Sequence, residues 1–332
     1  MTTDETAARN DSTAGKGAPL AFDTSVAHQA RMYDYILGGK DNYAADRAAA
    51  EAWVKTDPDA AFSAKENRRF LGRAVRYLAE EAGIRQFLDI GTGIPTAGNT
   101  HEVAQAVAPD ARVIYVDYDP IVLAHARTLL NSSEAGGTEY LDADLRDTAR
   151  ILDRARQFLD FSRPVAVTLV AILHAIPDAD DPRAIVGTLL DAVPPGSYLT
   201  VSHLGSDLLS KEKREGIEGL SGRVMQQRMT MRDREQVARF FAGTDLVEPG
   251  LVRVEQWRPE PSADGTVKSS MWGAVGRKRR LGLAGDRSRV KLPRRAGARR
   301  KSGQSRGTWP PGRSAGGRRA RQCRPFAPPA AW

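Results

Sequence analysis

The chain has 332 residues, enough for one large α/β domain or two smaller ones, and its formal charge of +8 is unevenly spread. Residues 277–332 carry 15 Arg and 3 Lys against one acid, Asp286, whereas residues 1–276 carry 31 basic and 40 acidic side chains, so the overall basicity implies nucleic-acid binding for the tail alone. The single cysteine, Cys323, leaves the body without a disulfide or a thiolate metal site, and the longest apolar run, 165–176, is too short for the ~20 residues of a membrane span.

Residues 1–22 are polar, include Asp4 and Glu5, show no period and lack the apolar core of a signal peptide. A disordered leader on a cytoplasmic protein is expected. From Ser25 to Arg47, Met32, Tyr35, Ile36 and Leu37 form a helical stripe that Gly38-Gly39 stops. A second helix over roughly 60–82 places Phe62, Phe70, Leu71, Val75 and Leu78 near one face, and Gly83 ends it.

Strands and helices then alternate: strand 86–91, helix 99–108, strand 112–117, helix 120–130, strand 138–142, helix 147–158, strand 165–173, helix 182–193 and strand 197–202. Asn99-Thr100-His101-Glu102 is a capping box, and Pro120 suits a first helical turn. Such alternation implies a mostly parallel sheet with helices on both faces. Polar helices near 206–220 and 233–241 follow. Strands at 251–257 and 269–275, joined by a turn-rich segment, suit a C-terminal antiparallel hairpin.

The chemistry concentrates where the first strand meets its turn, Phe87-Leu88-Asp89-Ile90-Gly91-Thr92-Gly93, and where Asp117 ends the second strand. A doubly wound sheet sets this turn and the second carboxylate side by side, at the edge where nucleoside cofactors bind. Gly91 and Gly93 let backbone approach a ligand closely. The third glycine of the dinucleotide fingerprint is missing, since Thr96 stands in its place, which suits a cofactor without pyrophosphate. Asp117 suits the two ribose hydroxyls, a role it would have with a nicotinamide cofactor as well. Asp119, before Pro120, reads better as a helix cap.

The Asp-x-Gly-x-Gly turn resembles the cofactor loop of S-adenosylmethionine-dependent methyltransferases. Further segments are similar to a bacterial S-adenosyl methyltransferase family whose substrates are poorly characterised. They are Arg31-Met32-Tyr33-Asp34-Tyr35-Ile36-Leu37-Gly38-Gly39-Lys40-Asp41-Asn42-Tyr43, Asn67-Arg68-Arg69-Phe70-Leu71, Asn99-Thr100-His101-Glu102 and Val116-Asp117-Tyr118-Asp119-Pro120, with Leu173-His174 and Ser202-His203. The resemblance covers about residues 23–277. It implies a Rossmann-like class I methyltransferase domain with N-terminal helices, between the leader and a tail from 278 to 332. It implies S-adenosylmethionine held by Asp89, Gly91, Gly93, Asp117 and Tyr118, with Asp144 and the Leu145 backbone at the adenine; the neighbouring acids Asp142 and Asp147 read as solvated charges or as caps of the helix that follows. The methionine end would meet Tyr33, Gly38, Gly39, Lys40 and Asn42: a cation and N–H groups suit its carboxylate, an aromatic face its sulfonium. The alternative is that the glycines cap a helix and Lys40 is a solvated charge.

His174 and His203, at the ends of strands four and five, are the candidate general bases. Each has a competing reading as a histidine closing a strand end. The ending Leu173-His174-Ala175-Ile176-Pro177-Asp178 resembles small-molecule methyltransferases and lacks the Asn-Pro-Pro-aromatic pattern of enzymes acting on nucleic-acid amines. The expected acceptor is therefore a small molecule, with no metal. The rivals are a nicotinamide oxidoreductase, and a non-catalytic cofactor-binding protein whose basic tail binds nucleic acid. For the tail, rich in Arg, Gly, Pro and Ala, two readings compete: weak counter-ion-release binding of nucleic acid, or no function, as an unselected frame of a GC-rich gene would give. The second is preferred.

Overall fold

The computed structural model describes residues 23–122, 136–225, 228–259 and 268–280. The expected leader, most of the helix expected at 120–130 and the tail beyond Arg280 lie outside the described residues. β1 (Gln86–Ile90), β2 (Arg112–Asp117), β3 (Gly137–Asp142), β4 (Ala166–Val170) and β5 (Tyr198–Leu204) form a parallel sheet ordered β3-β2-β1-β4-β5. At β5 the direction reverses. β8 (Met271–Lys278) pairs antiparallel with it from Tyr198↔Arg277 to Leu204↔Met271, and β6 (Thr244–Leu246) pairs antiparallel with the far side of β8. Strand order turns back between β1 and β4, so their carboxyl ends bound a crevice, the usual ligand position in such sheets.

The two faces follow from the strands' period of two. In β1, Leu88 and Ile90 point into a core with Ile151 of α5 (Thr148–Phe158) and Leu189 of α6 (Pro182–Ala192). Phe87 points oppositely, to a core with Phe70 and Leu78 of α3 (Ala60–Glu80) and Ala104 of α4 (Thr100–Val107). Each fully buried Leu or Phe contributes about 1.5–3 kcal/mol of transfer free energy. The box at α4 is present: Asn99 N–H and Gly98 N–H donate to Glu102 Oε2 (3.1 and 2.7 Å).

Four expectations change. The strand expected over 165–173 ends at Val170, because Ala171 takes a left-handed φ of 57° and Leu173–Ala175 form a 3-10 turn. The expected hairpin shrinks to β7 (Val252–Arg253) against β8; the chain then enters a 3-10 turn, Val254–Gln256, and buries Trp257. β6 is too short to leave an alternating pattern. α1 (Gln29–Leu37) is followed by a separate helix, α2 (Ala44–Thr56), whose buried residues are Ala49, Ala50 and Asp46. An alanine-rich helix gives a weak apolar stripe, so it escaped the periodicity reading.

Candidate active site

The crevice at the ends of β1, β2 and β4 is a cleft enclosing about 900 Å³, part of it open to solvent, and α1 lies over it. Its floor is the β1 turn. Gly91 and Gly93 have φ of +75° and +67°, conformations that carry a steric cost for any residue with a Cβ. A Cβ on Gly91 would also meet the Ile172 side chain at 2.5 Å, whereas one on Gly93 would meet only the Ala30 methyl, at 4.0 Å.

The two acids of the turn are buried and hydrogen-bonded. Asp89 accepts from Thr100 Oγ1 (2.6 Å) and Thr168 Oγ1 (2.7 Å), which ties β1 to the start of α4 and to β4. Burial still pushes its carboxyl above the usual range. Asp117 accepts from the N–H groups of Gly93 (2.8 Å), Tyr118 (2.8 Å) and Asp119 (3.0 Å), and burial pushes it up as well. A carboxylate has about four acceptor positions. Three are spent shaping the two loops, so Asp117 has room for one ribose hydroxyl rather than the expected two. Asp119 caps as expected: its Oδ1 accepts from Ile121 N–H (2.8 Å) while Oδ2 meets His28 Nδ1 (2.8 Å), anchoring the approach to α1. Tyr118 lines the cleft, its phenol pushed up to about 12 by burial and the nearby Asp117.

Tyr33 also lines the cleft, its hydroxyl accepting from Asn67 Nδ2 (3.0 Å) and donating to the Ala64 carbonyl (2.9 Å). The rest of its loop lies elsewhere. Gly38 (φ 88°) caps α1 by donating to the Asp34 and Tyr35 carbonyls. Gly39 packs where a Cβ would collide with the Asp34 carboxyl group, and Asn42 Nδ2 donates to Asp34 Oδ2 (2.8 Å). The loop is wrapped around a carboxylate of its own chain, and Lys40 is exposed. Gly38, Gly39, Lys40 and Asn42 are therefore absent from the cleft lining.

Among the described residues that line the cleft, Arg68 is the one Arg or Lys, and the sequence reading had no role for it. Its Nη2 donates to Asn99 Oδ1 (2.9 Å), while its buried Nε has no hydrogen-bond partner. Beside it, Asn67 Oδ1 is likewise buried and unpartnered. The signal was present in Asn67-Arg68, but nothing local to α3 shows which face meets the sheet edge. Asp144 and Leu145 also fall outside the cleft lining. The Asp144 carboxylate is held by Arg146 (2.5 Å), which reaches on to Asp180 (3.2 Å), and the Leu145 side chain is buried in the core.

Neither histidine is placed as a general base. His203 is fully buried; its Nδ1–H donates to the Leu204 carbonyl (2.9 Å) and its Nε2 accepts from Arg232 Nη1 (2.9 Å), so both nitrogens are committed. His174 is 3% exposed, and burial lowers its pKa to about 3, aided by the Arg232 charge. At neutral pH it is an uncharged imidazole. Arg232 was invisible as a site residue: it donates to the Leu173 and Ile176 carbonyls (2.9 and 2.8 Å) and pairs with Asp178 (2.6 Å), pinning the loop after β4. Among the described residues, no group of three or more His, Cys, Asp or Glu could hold a metal ion, and no helix is long and apolar enough to cross a membrane.

The sequence profile of a family described as S-adenosyl methyltransferase matches residues 16–279. The chain belongs to this S-adenosyl methyltransferase family. It is an S-adenosylmethionine-dependent methyltransferase, and its mostly parallel sheet has a Rossmann-like order. A DUF574 family protein from Streptomyces avermitilis MA-4680 is 48% identical, with a TM-score of 0.74 over 77% of this chain and 99% of that one. A candidate methyltransferase from Thermobifida fusca YX is 43% identical, with a TM-score of 0.72 over 78% and 97%. Comparison with curated proteins gave no match.

The residues of the cleft fit the family's cofactor. Its methionine end carries a carboxylate and an ammonium. The orphaned Arg68 Nε–H and Asn67 Oδ1 are the complementary donor and acceptor, side by side in sequence. The nucleoside end needs the glycine turn and an acid with a free acceptor position, which Gly91, Gly93 and Asp117 supply.

Proposed function

We propose that this methyltransferase acts on a small molecule, holding the cofactor on the Asp89–Gly93 turn, Asp117 and Tyr118, with Asn67 and Arg68 at its methionine end and Tyr33 overhead. The bound cofactor supplies an electrophilic methyl group on a sulfonium. The protein's part is alignment of the acceptor atom with that methyl, which alone is worth several kcal/mol of barrier. A resting general base is not required of His174, whose low basicity leaves it a hydrogen-bonding and positioning group.

The observation that carries the reading is the burial of the strand-four ending. Leu173, His174, Ala175 and Ile176, beside the cleft, are all buried, which favours a molecule that can be enclosed over a polymer that lies on a surface. The net negative charge of residues 1–276 agrees, since it repels a phosphate backbone. The working domain in this reading is residues 23–277: β8 ends at Lys278 and the family match at residue 279 support that boundary. A cytoplasmic setting goes with it. The test is methyl-labelled S-adenosylmethionine with a cell extract, separated by size. Label in the small-molecule fraction is expected; label confined to protein or nucleic acid overturns the proposal.

A further inference from the structure

Behind α1 lies a second cavity, enclosing about 540 Å³ with its open mouth counted, against about 900 Å³ for the cofactor cleft on the same footing. It adjoins the cofactor cleft directly, because Gln29, Tyr33 and Ala171 line both. Ala171 is the residue held left-handed. Its N–H donates to Ser202 Oγ (2.9 Å) and its carbonyl accepts from Gln29 Nε2 (3.1 Å), so this part of the partition between the two connected cavities is held from both sides.

The chamber is apolar and neutral. Met32, Ile36, Trp53, Met229 and Met271 line it, and among the described residues no Asp, Glu, Lys or Arg does. Methionines adapt to irregular shapes and make favourable contacts with aromatic rings. Polar groups are few. On one wall, Ser63 and Ser270 face each other (Oγ to Oγ 3.2 Å). On the partition, Gln29 Nε2 lies 2.5 Å from His174 Nε2. An amide nitrogen only donates, so His174 Nε2 is the acceptor and its proton sits on Nδ1. That Nδ1 is buried and has no partner. An orphaned N–H of this kind is costly to the fold unless something accepts from it.

We propose that this chamber is the acceptor site and that the acceptor is an uncharged hydroxylated ring compound, its oxygen accepting from His174 Nδ1–H; this rests on the small-molecule reading above. One oxygen lone pair takes the imidazole N–H. Another forms the bond to the methyl carbon as the carbon–sulfur pair returns to sulfur, and the hydroxyl proton leaves to water. His174 acts here by holding the oxygen and not by storing its proton. The neutral walls exclude carboxylates, ammonium ions and phosphates, because each would lose hydration with no opposite charge to meet.

The test is calorimetric titration of the protein saturated with S-adenosylhomocysteine, using 2-naphthol, 2-naphthoate and 2-naphthylmethylammonium as probes. Binding of 2-naphthol at least tenfold tighter than either ion is expected. Ala64→Leu, which fills the chamber, and Met229→Glu, which charges it, should each weaken 2-naphthol at least tenfold while S-adenosylhomocysteine affinity stays within twofold. An ion binding as tightly as 2-naphthol, or unchanged 2-naphthol binding in both variants, overturns the proposal. So does the absence of binding by all three probes in protein that holds S-adenosylhomocysteine; that result leaves the small-molecule reading standing, which only the extract labelling can overturn. If neither variant retains S-adenosylhomocysteine, a crystal of the wild-type protein with 2-naphthol decides: density in the chamber supports the proposal and density elsewhere overturns it.

Discussion

The two halves of the sheet's carboxyl edge solve opposite problems. At β1 and β2 the chain buries two carboxylates and surrounds each with hydrogen-bond donors from neighbouring loops. At β4 and β5 it buries two imidazoles and keeps them uncharged, with a guanidinium nearby to discourage protonation. The first half is built to meet a polar, charged ligand; the second keeps its imidazoles neutral beside one buried guanidinium, which Asp178 pairs. A single cleft can therefore bind a zwitterionic nucleoside at one end and border an apolar chamber at the other.

The largest effect expected from breaking this contrast is at the glycine turn. Gly91→Ala adds a Cβ to a left-handed residue and drives it into Ile172, and should lower stability by about 2–5 kcal/mol in urea unfolding. Asp117→Ala should weaken S-adenosylhomocysteine by about 1.5–3 kcal/mol, roughly 10–150-fold, read by calorimetry.

The histidine half is probed by pH. His174 has a folded pKa of about 3, below its ordinary value, so as pH falls the unfolded chain takes up the proton first. Stability should therefore drop as pH falls below about 6.5, by about 2 kcal/mol between pH 7 and pH 5 from this group, and the loss should level off near pH 3. His174→Gln cannot titrate and should show a drop smaller by that amount. An equal drop in both proteins would mean that His174 is charged in the fold. The smallest effect is expected at Lys40→Ala, which should change both stability and S-adenosylhomocysteine affinity by less than about 0.5 kcal/mol, because the side chain is exposed and outside the cleft.

The same divide separates what was legible in the sequence from what was not. The meeting of Asp89, Gly91, Gly93 and Asp117 at one sheet edge was readable because strand, turn and acid are contiguous, and fold topology alone brings Asp117 across to Gly93. The parallel alternation was readable for the same reason. Gly38-Gly39 misled because a glycine pair reports the need for an unusual backbone and not what fills the space beside it; here Asp34 fills it. Arg68, Arg232 and the chamber were out of reach. Arg232 touches residues more than fifty positions away, and the chamber wall is assembled from α1, α2, α3, the end of β5 and the start of β8. The histidines were found, but their protonation is set by burial, which no local pattern reveals.

The Ser63–Ser270 contact has a consequence for assembly. It joins residues 207 positions apart, so the chamber wall cannot close until nearly the whole domain has been synthesised. The helices made first are then among the last to find their final partners. Closing so long a loop is slow relative to forming local contacts. Until β8 inserts between β5 and β6, the parts of α1 and α3 that line the chamber lack their last partners.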